Sequence, residues 1–422
     1  MKKEDILREQ TGLINPDEYI IKRIDELSII VSKELAVKLK QKKIKADVFV
    51  GGSVGKGTII KREKYDIDIF VRFDNSYNTK KISDILQGIV GKKARRIHGS
   101  RDYYQISDYE KENIIIEIIP VIKIKNPEQA HNITDLSYFH VNYVTKRIKK
   151  NKKLKDEIKL AKSFSYFQGC YGAESYINGF SGYALELLII HYGSFLNFIK
   201  AIAKFPDKKK IIIDSEKFYK NKQEVIKKLN ISKTKSPIIL IDPTYKERNA
   251  LAGLNHETYI KFKNACKKFL KKPDENFFEK RNIRDKFKKD KNVKIISIKT
   301  TKQTGDIAGT KSKKFFNFFV NTLNKSFDVK KSDYEYVEEK NLAYYYFVLN
   351  KKEDSLKKGP AINSVENFNN FKKHHRNYFV KSNIAYAKIK HPQNFEDFFK
   401  NFVKNNKRII KDMSIKEIKI VR

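Results

Sequence analysis

The first third of the chain combines one long amphipathic segment with short apolar, β-branched runs. Residues 16–44 place Ile, Leu and Val at helical spacing among charged residues, which predicts a helix. The runs 46–50, 67–73 and 114–119 predict three strands. We expect the third strand to end at Pro120, because proline cannot donate a ladder hydrogen bond. This region therefore predicts a long helix followed by three strands.

Longer helical segments follow after about residue 145. Residues 154–167 predict one helix, and residues 183–202, after the turn at 179–182, predict a second. The second segment is apolar on most sides, so we expect it to be buried.

The carboxy-terminal part is basic at first and then rich in aromatic residues. Residues 267–302 are dense in Lys and Arg, which indicates a domain boundary or a surface that faces a polyanion. Further on, residues 344–348 predict a strand, and helical spacing is shared by four aromatic residues: Phe315, Phe316, Phe318 and Phe319.

Length and charge narrow the class of protein. At 422 residues, a length of roughly 150 residues per domain indicates about three domains. Lys and Arg number 90 against 50 Asp and Glu, so the net charge of +40 should attract polyanions, above all nucleic acid. A coding bias toward Lys would explain abundant Lys, but not the failure of acids to balance it.

The cysteines and the apolar runs indicate a cytoplasmic protein. Cys170 and Cys266 are far apart and have no flanking Cys or His, so neither a disulfide framework nor a zinc site is indicated. The amino terminus lacks the apolar core of a signal peptide, and no apolar run approaches the 18 or more residues of a membrane helix. We expect no membrane association.

Candidate chemistry begins with two aspartates in the second predicted strand. Alternate side chains of a strand share a face, so Asp66 and Asp68 project together. Paired carboxylates suit a hard divalent cation such as Mg²⁺. The pair alone is more often typical of a solvated strand face.

The turn Gly51-Gly52-Ser53 precedes these aspartates and strengthens the metal hypothesis. Its glycines expose backbone N–H groups that can hold triphosphate oxygens, and Ser53 adds a hydroxyl donor. A P-loop is excluded, because the glycine spacing is wrong and Lys56 is not followed by Ser or Thr.

Glu117 is the candidate third acid, since it lies inside the apolar run 114–119. Burial of an unpaired carboxylate is costly, so a cation or a hydrogen-bond partner is expected. A lysine partner is the alternative to a metal.

Together, Gly51-Gly52-Ser53, Asp66-Ile67-Asp68 and Glu117 resemble the polymerase β-like nucleotidyltransferase superfamily. The chain is more specifically similar to the archaeal-type (class I) CCA-adding enzymes, which are tRNA nucleotidyltransferases. The resemblance continues over nearly the whole chain in these segments: 139–140, Lys162, 168–174, 179–183, 186–195, 242–243, 248–249 and 358–360.

That resemblance implies an α+β multidomain fold with a nucleotidyltransferase head, built on a mixed sheet, at 1–145. A helical neck would occupy 146–266, and a basic α/β body and tail that binds tRNA would occupy 267–422. The implied metal ligands and catalytic acids are Asp66, Asp68 and Glu117, with Mg²⁺ as the cofactor. The implied nucleotide-binding residues are Gly52, Ser53, Lys56, His140, Lys162, Tyr171 and Arg248. The residues that bind RNA are not assigned.

Three positions depart from the family pattern. The first acid of the family is often Glu and the third Asp, whereas Asp66 and Glu117 stand here, which moves each carboxylate by one methylene. Lys56 stands where Arg is common, so a bidentate phosphate contact becomes a point charge.

The implied activity is template-free addition of C, C and A to a tRNA 3′ end from CTP and ATP, with pyrophosphate release and two metal ions. A poly(A) polymerase or an oligoadenylate synthase would use the same turn and acids. A non-catalytic RNA-binding protein would explain the charge but not the acids. The sequence leaves the oligomeric state open, including a homodimer.

Overall fold

The computed structural model describes residues 3–91, 94–107, 109, 112–207, 209–280, 282–301, 305–392 and 394–421. The chain forms two compact units. The first, called unit 1, comprises residues 1–173 and 177–280, and the second, unit 2, comprises residues 174–176 and 281–422.

Unit 1 contains a five-stranded sheet near its amino terminus. The strands are β1 (Ala46–Val50), β2 (Tyr65–Phe73), β3 (Arg95–Ile97), β4 (Tyr103–Ile106) and β5 (Ile114–Ile122). Their order is β1-β2-β5-β4-β3, with β2 and β5 parallel and the other neighbours antiparallel. The mixed sheet predicted from the sequence is confirmed.

The helices in this part of the chain are α1 (Lys3–Leu13), α2 (Glu18–Gln41), α3 (Gly52–Lys56) and α4 (Ile82–Val90). Helices α2 and α4 supply apolar side chains to a core with the buried residues of β2 and β5, of which Ile67 and Ile69 are fully buried. Because strand side chains alternate, the residues of β2 on either side of Ile67 and Ile69 point to the opposite face of the sheet.

Strand β5 does not end at Pro120 as the sequence predicted; it continues to Ile122. Strand β4 pairs only with residues 116–118 of β5, so no ladder partner is present beside Pro120 on that side. The Pro120 carbonyl accepts a hydrogen bond from Arg101 Nη1 at 3.3 Å instead. A proline is tolerated where its missing N–H faces no neighbouring strand.

The rest of unit 1 is mainly helical. Its helices are α5 (Ser137–Lys150), α6 (Leu154–Phe167), α7 (Gly182–Tyr192), α8 (Phe195–Lys204), α9 (Lys222–Lys228) and α10 (His256–Lys271). A small sheet of order β6-β7-β8 joins β6 (Ile211–Ile213), β7 (Ile238–Asp242) and β8 (Tyr245–Asn249). Most of these helices share one apolar core, in which Ile6 of α1 is also buried. Val225 of α9 packs with Ile239 and Ile241 of β7 in a second, smaller core.

The single helix predicted over 183–202 is wrong, because α7 and α8 meet at an angle of 93°. Gly193 takes a left-handed conformation (φ 77°) that ends α7, and the Ser194 side chain accepts a hydrogen bond from the Asn197 N–H to begin α8. Among the described residues no single helix is long and apolar enough to cross a membrane, and this bent pair passes that test only when its two helices are taken together.

Unit 2 contains two sheets. The first has the order β10-β11-β9-β15 and is formed by β9 (Val293–Thr300), β10 (Phe327–Val337), β11 (Leu342–Lys351) and β15 (Ile415–Ile420). The second has the order β12-β14-β13 and is formed by β12 (Ser355–Ala361), β13 (Tyr378–Lys381) and β14 (Ile384–Ile389). The helices are α11 (Gly305–Ser326), α12 (Val365–His374), α13 (Phe395–Asn405) and α14 (Lys407–Asp412).

The pattern of the carboxy-terminal part is confirmed in unit 2. Phe315, Phe316 and Phe319 of α11 are buried against the first sheet, to which β11 contributes Tyr345 and Phe347. The division of the chain at residues 145 and 266 stays a prediction.

Candidate active site

The three predicted acids lie on one face of the five-stranded sheet. Asp66 and Asp68 alternate with fully buried isoleucines along β2, and Glu117 of β5 is the direct register partner of Asp68. The acids therefore share the face opposite the apolar core. The parallel pairing of β2 and β5 brings residues about 50 positions apart in sequence side by side.

Asp68 also lies against the turn that follows β1. The Gly51 N–H donates to the Asp68 carbonyl at 2.8 Å, and Gly52 has a positive φ of 56°. A Cβ atom on Gly52 would overlap the carboxylate of Asp68. This close approach explains why the turn carries glycine at position 52.

Burial and the neighbouring charge of Asp66 raise the pKa of Asp68 to about 6. Such a shift marks a place where negative charge is crowded and a cation would be stabilised. Asp66 contacts the Arg62 guanidinium at 3.3 Å, and Glu117 Oε1 accepts from Gln105 Nε2 at 2.8 Å. In the described part of the chain, no three His, Cys, Asp or Glu side chains are already grouped to hold a metal ion.

Arg62 joins the acids to an aromatic cluster. Its guanidinium lies 5.6 Å from the ring centroids of both Tyr166 and Tyr171. Tyr171 is one of the predicted nucleotide-binding residues, and burial raises the pKa of its hydroxyl. A Cβ atom on Gly182 would come within 2.8 Å of that hydroxyl, so the start of α7 packs closely on Tyr171.

Two predicted nucleotide-binding lysines converge on one buried carboxylate, Glu186 of α7. Lys56 Nζ lies 2.6 Å from Glu186 Oε2, and Lys162 Nζ lies 2.7 Å from Glu186 Oε1. Burial alone would raise the pKa of Glu186, but the two lysines outweigh it and lower the pKa to about 2. Glu186 is therefore ionised and fixes both ammonium groups.

The two lysines differ in their remaining hydrogen bonds. Lys162 Nζ also donates to Thr58 Oγ1 at 2.8 Å and to the Thr58 carbonyl at 3.3 Å, so its three N–H groups have three acceptors. Within the described residues Lys56 Nζ has Glu186 as its hydrogen-bond acceptor and lies 5.6 Å from the Tyr183 ring centroid. Lys56 retains donors for a ligand, whereas Lys162 is saturated.

A second buried carboxylate, Asp242 at the end of β7, gathers two further predicted residues. His140 Nε2 lies 3.1 Å and Arg248 Nη1 lies 2.6 Å from Asp242 Oδ2. The Tyr183 hydroxyl donates to Asp242 Oδ1 at 2.9 Å. Although burial opposes ionisation, His140 and Arg248 hold the pKa of Asp242 well below its ordinary value.

Tyr183 stands between the two carboxylate networks. Its ring stacks on His140 with centroids 4.0 Å apart and an interplanar angle of 25°, and the Arg248 guanidinium lies 5.6 Å from it. Burial lowers the pKa of His140, so its ring is held toward the neutral form. His140 of α5, Tyr183 of α7 and Arg248 of β8 therefore form one surface that offers ring faces and a guanidinium group.

The structure thus groups the predicted residues, but through partners that the sequence reasoning missed. Glu186 organises Lys56 and Lys162, and Asp242 organises His140 and Arg248. A signal for Glu186 was available, because it is a lone acid in the apolar run of α7, as Glu117 is in β5. Asp242 likewise ends the apolar run of β7.

Comparison with known proteins agrees with this architecture. The family model described as nucleotidyltransferase domain matches residues 32–159, which include the turn and the three acids. The model described as tRNA nucleotidyltransferase, second domain, matches residues 156–279, which include both buried carboxylates.

Two relatives with curated names are both CCA-adding enzymes. A CCA-adding enzyme from Methanococcus maripaludis is 29% identical over 96% of this chain and 93% of its own length. One from Nanoarchaeum equitans is 45% identical, and there the alignment spans about half of each protein, 50% of this chain and 52% of the relative. Along nearly its whole length the chain is thus similar to archaeal CCA-adding enzymes. It is therefore an enzyme of the nucleotidyltransferase class, whose members normally use divalent metals.

Solved structures with a similar fold include poly(U) polymerases. A Cid1 poly(U) polymerase with Mg and 3′-dATP bound has a TM-score of 0.52 and 14% sequence identity, and covers 66% of this chain and 98% of its own. Another Cid1 poly(U) polymerase structure has a TM-score of 0.51 at 13% identity. At such low identity the likeness concerns the fold alone.

Proposed function

We propose that this chain extends tRNA 3′ ends with C, C and A, taking the nucleotides from CTP and ATP without a nucleic-acid template. Support comes from the family, from the net charge of +40 and from the residues gathered around the turn after β1. The observation that carries the proposal is the position of this turn. Asp68 packs against its first part, at Gly52, and Lys56 at its end is held by Glu186.

The acids fit a divalent cation. Asp68 is crowded by Asp66 in a partly buried position, and all the donor atoms are carboxylate oxygens, the ligands that Mg²⁺ prefers. We assign Asp66, Asp68 and Glu117 as the ligands of Mg²⁺. When bound, the ions would supply positive charge that makes the attacking hydroxyl more acidic and offsets charge on the leaving oxygen.

The triphosphate is assigned to the turn and to Lys56. Ser53 begins α3 beside Gly52, and Lys56 ends it with N–H groups beyond its contact with Glu186. Because Lys162 is saturated by Glu186 and Thr58, we assign it to positioning of this network rather than to direct contact with phosphate. The planar base of the nucleotide, or its ribose, would lie against Tyr183, His140 and Arg248, which offer ring faces and guanidinium donors.

In the reaction, the terminal 3′ oxygen of the RNA forms a bond to the α-phosphorus as its proton is released. The bond from that phosphorus to the bridging oxygen breaks, and pyrophosphate leaves. Lys56 neutralises phosphate charge, while Glu186 keeps the Lys56 ammonium group in place.

The decisive experiment supplies tRNA that ends before CCA, after C or after CC, with each nucleoside triphosphate separately and Mg²⁺. We expect C on the first two acceptors, A on the third and no further extension, and loss of all incorporation in Asp68→Asn. Asp47→Asn is the matched control, because Asp47 pairs with Arg72 on β1 and β2. Repeated addition of A to any acceptor would identify a poly(A) polymerase, and RNA binding with no incorporation would identify a non-catalytic protein.

A further inference from the structure

One aspartate of β2 is paired with a cation of the chain itself. Arg62 Nη2 lies 3.3 Å from Asp66 Oδ2, and the two side chains are 24% and 44% exposed. The pair therefore lies at the solvent edge of the acids rather than in the core. An Asp66 oxygen that could ligate a divalent ion instead accepts a hydrogen bond from a guanidinium group.

Two tyrosine rings hold Arg62 beside the acids. Its guanidinium carbon lies 5.6 Å from the ring centroids of both Tyr166 and Tyr171. The face of an aromatic ring attracts a cation, and these contacts do not depend on the ion pair with Asp66. The positive charge of Arg62 is therefore held in the site whichever partner Asp66 takes.

Two other cations near the acids have a different carboxylate partner. Lys56 and Lys162 both pair with Glu186, whose negative charge offsets part of theirs. Arg62 instead pairs with Asp66, which we assign as a ligand of the metal ion. A divalent ion and Arg62 therefore compete for the same carboxylate, and their like charges repel each other.

Glu117 provides a comparison within the site, because one of its neighbours is neutral. Gln105 Nε2 donates to Glu117 Oε1 at 2.8 Å, and the two residues are register partners on β4 and β5. An amide donor orients a carboxylate without adding charge, so it opposes a divalent ion far less than a guanidinium group does. Variants of Arg62 and Gln105 can therefore separate the effect of charge from that of orientation.

We propose that Arg62 is a stand-in cation for the metal ion. It neutralises Asp66 before the ion binds, and the ion must displace it from that carboxylate. The inference rests on the proposed function, because it takes Asp66, Asp68 and Glu117 as the metal ligands. It deepens that function by making Arg62 a positioning residue, which acts through Asp66 and weakens binding of the free ion.

The test measures binding of Mn²⁺ to the full chain without nucleotide or RNA, with electron paramagnetic resonance reporting the unbound ion. Mn²⁺ takes the same carboxylate ligands as Mg²⁺. At about pH 8 the carboxylates are ionised. Arg62→Gln should tighten binding by about 10-fold, because a like charge a few ångströms from the ion is removed. A gain in affinity is a result that loss of structure would not produce.

Arg72→Gln is the matched control for the lost charge. Arg72 lies on β2 four residues after Asp68, and it pairs with Asp47 at 2.7 Å. In about 0.1 M salt, charges more than about 10 Å apart are largely screened. Because four strand residues span about 13 Å, this variant should change Mn²⁺ affinity by less than about twofold.

Three further variants show whether charge is the cause. Arg62→Lys keeps the charge and should bind Mn²⁺ within about threefold of wild type. Arg62→Met is a second neutral variant, whose long apolar side chain can still pack on the tyrosine rings, and it should tighten binding as Arg62→Gln does. Gln105→Ala removes a neutral donor from Glu117 and should not tighten binding. Melting curves of all variants ensure that folded proteins are compared.

Asp68→Asn separates this inference from the proposed function, because it should abolish Mn²⁺ binding. Unchanged binding in Asp68→Asn would show that the acids are not the metal ligands, and both proposals would be wrong. If Asp68→Asn loses the ion but neither neutral variant of Arg62 binds it more tightly than wild type, the role of Arg62 alone is overturned. An equal gain in Arg62→Lys or Gln105→Ala would also overturn it, because charge would not be the cause.

Discussion

Gly52 lies so close to Asp68 that any side chain at position 52 would overlap the carboxylate. Gly52 also has a positive φ of 56°, which disfavours other residues. Gly52→Ala should therefore displace Asp68 and lower kcat/KM for CTP incorporation by about 100-fold, the scale of a 1 Å misplacement in a catalytic site. Initial rates over a range of CTP concentrations measure this loss.

Gly57→Ala is the control for backbone strain. Gly57 ends α3 with a φ of 64°, but a Cβ there would meet only Lys155, whose flexible end is 3.3 Å away. This variant should lose about 1–2 kcal/mol of stability from the left-handed conformation and keep its activity. Equal kinetic losses in the two variants would mean that strain in α3, and not the carboxylate of Asp68, explains the effect.

Local pattern was sufficient to predict most elements. Helix α6 and strand β1 have the bounds expected from their apolar spacing, and the acids of β2 alternate with core isoleucines as predicted. The errors arose where a single local feature mattered. Gly193 ends a helix whose apolar pattern continues beyond it. Pro120 stays in β5 because β4 does not extend to the position beside it.

The site was less accessible from the sequence than the fold. Glu186 contacts Lys56 across 130 positions and Lys162 across 24. Periodicity shows that Glu186 is buried, but it contains no information about which distant cation compensates it. The roles of the three acids and of the nucleotide-binding residues stay predictions, which the experiments proposed for them can test.

The two lysines on Glu186 should give different phenotypes. Lys56→Ala should raise KM for CTP and ATP by about 10-fold or more, because a charge-assisted hydrogen bond to phosphate is lost. Lys162→Ala should instead lower the free energy of unfolding by about 3–5 kcal/mol, because it breaks a buried ion pair. Steady-state kinetics and urea unfolding of both variants separate the effects. Direct contact of Lys162 with phosphate would be indicated if its variant kept full stability but lost nucleotide affinity.

Glu186 should make stability depend on pH in the acidic range. Its pKa is about 2 in the folded chain against an ordinary 4.5, so its contribution is complete above pH 4.5 and is lost as the pH falls toward 2. The shift corresponds to about 3 kcal/mol. Glu186→Gln should therefore be less stable than wild type at neutral pH, and the difference should shrink as wild-type Glu186 becomes protonated.

Urea unfolding at a series of pH values measures this difference. Asp207→Asn is a suitable comparison, since Asp207 is an exposed acid that also pairs with a lysine, Lys263. Its effect should be smaller than that of Glu186→Gln at neutral pH. A stability difference between wild type and Glu186→Gln that is constant down to pH 2 would show that ionisation of Glu186 is not its source.

Asp242 should control nucleotide choice through Arg248. The carboxylate fixes one guanidinium nitrogen at 2.6 Å and leaves the planar group in a defined orientation beside Tyr183. Arg248→Lys keeps the charge but replaces the planar donor by a point charge, so discrimination of CTP and ATP against UTP and GTP should fall by about 10-fold. Asp242→Asn should act in the same direction, because the guanidinium loses the carboxylate that pairs with it.

Arg147→Lys is the control, because Arg147 pairs with Glu216 instead. Ratios of kcat/KM for the four nucleotides measure the change; if Arg248→Lys lowers all four equally, Arg248 supplies charge and does not select the base.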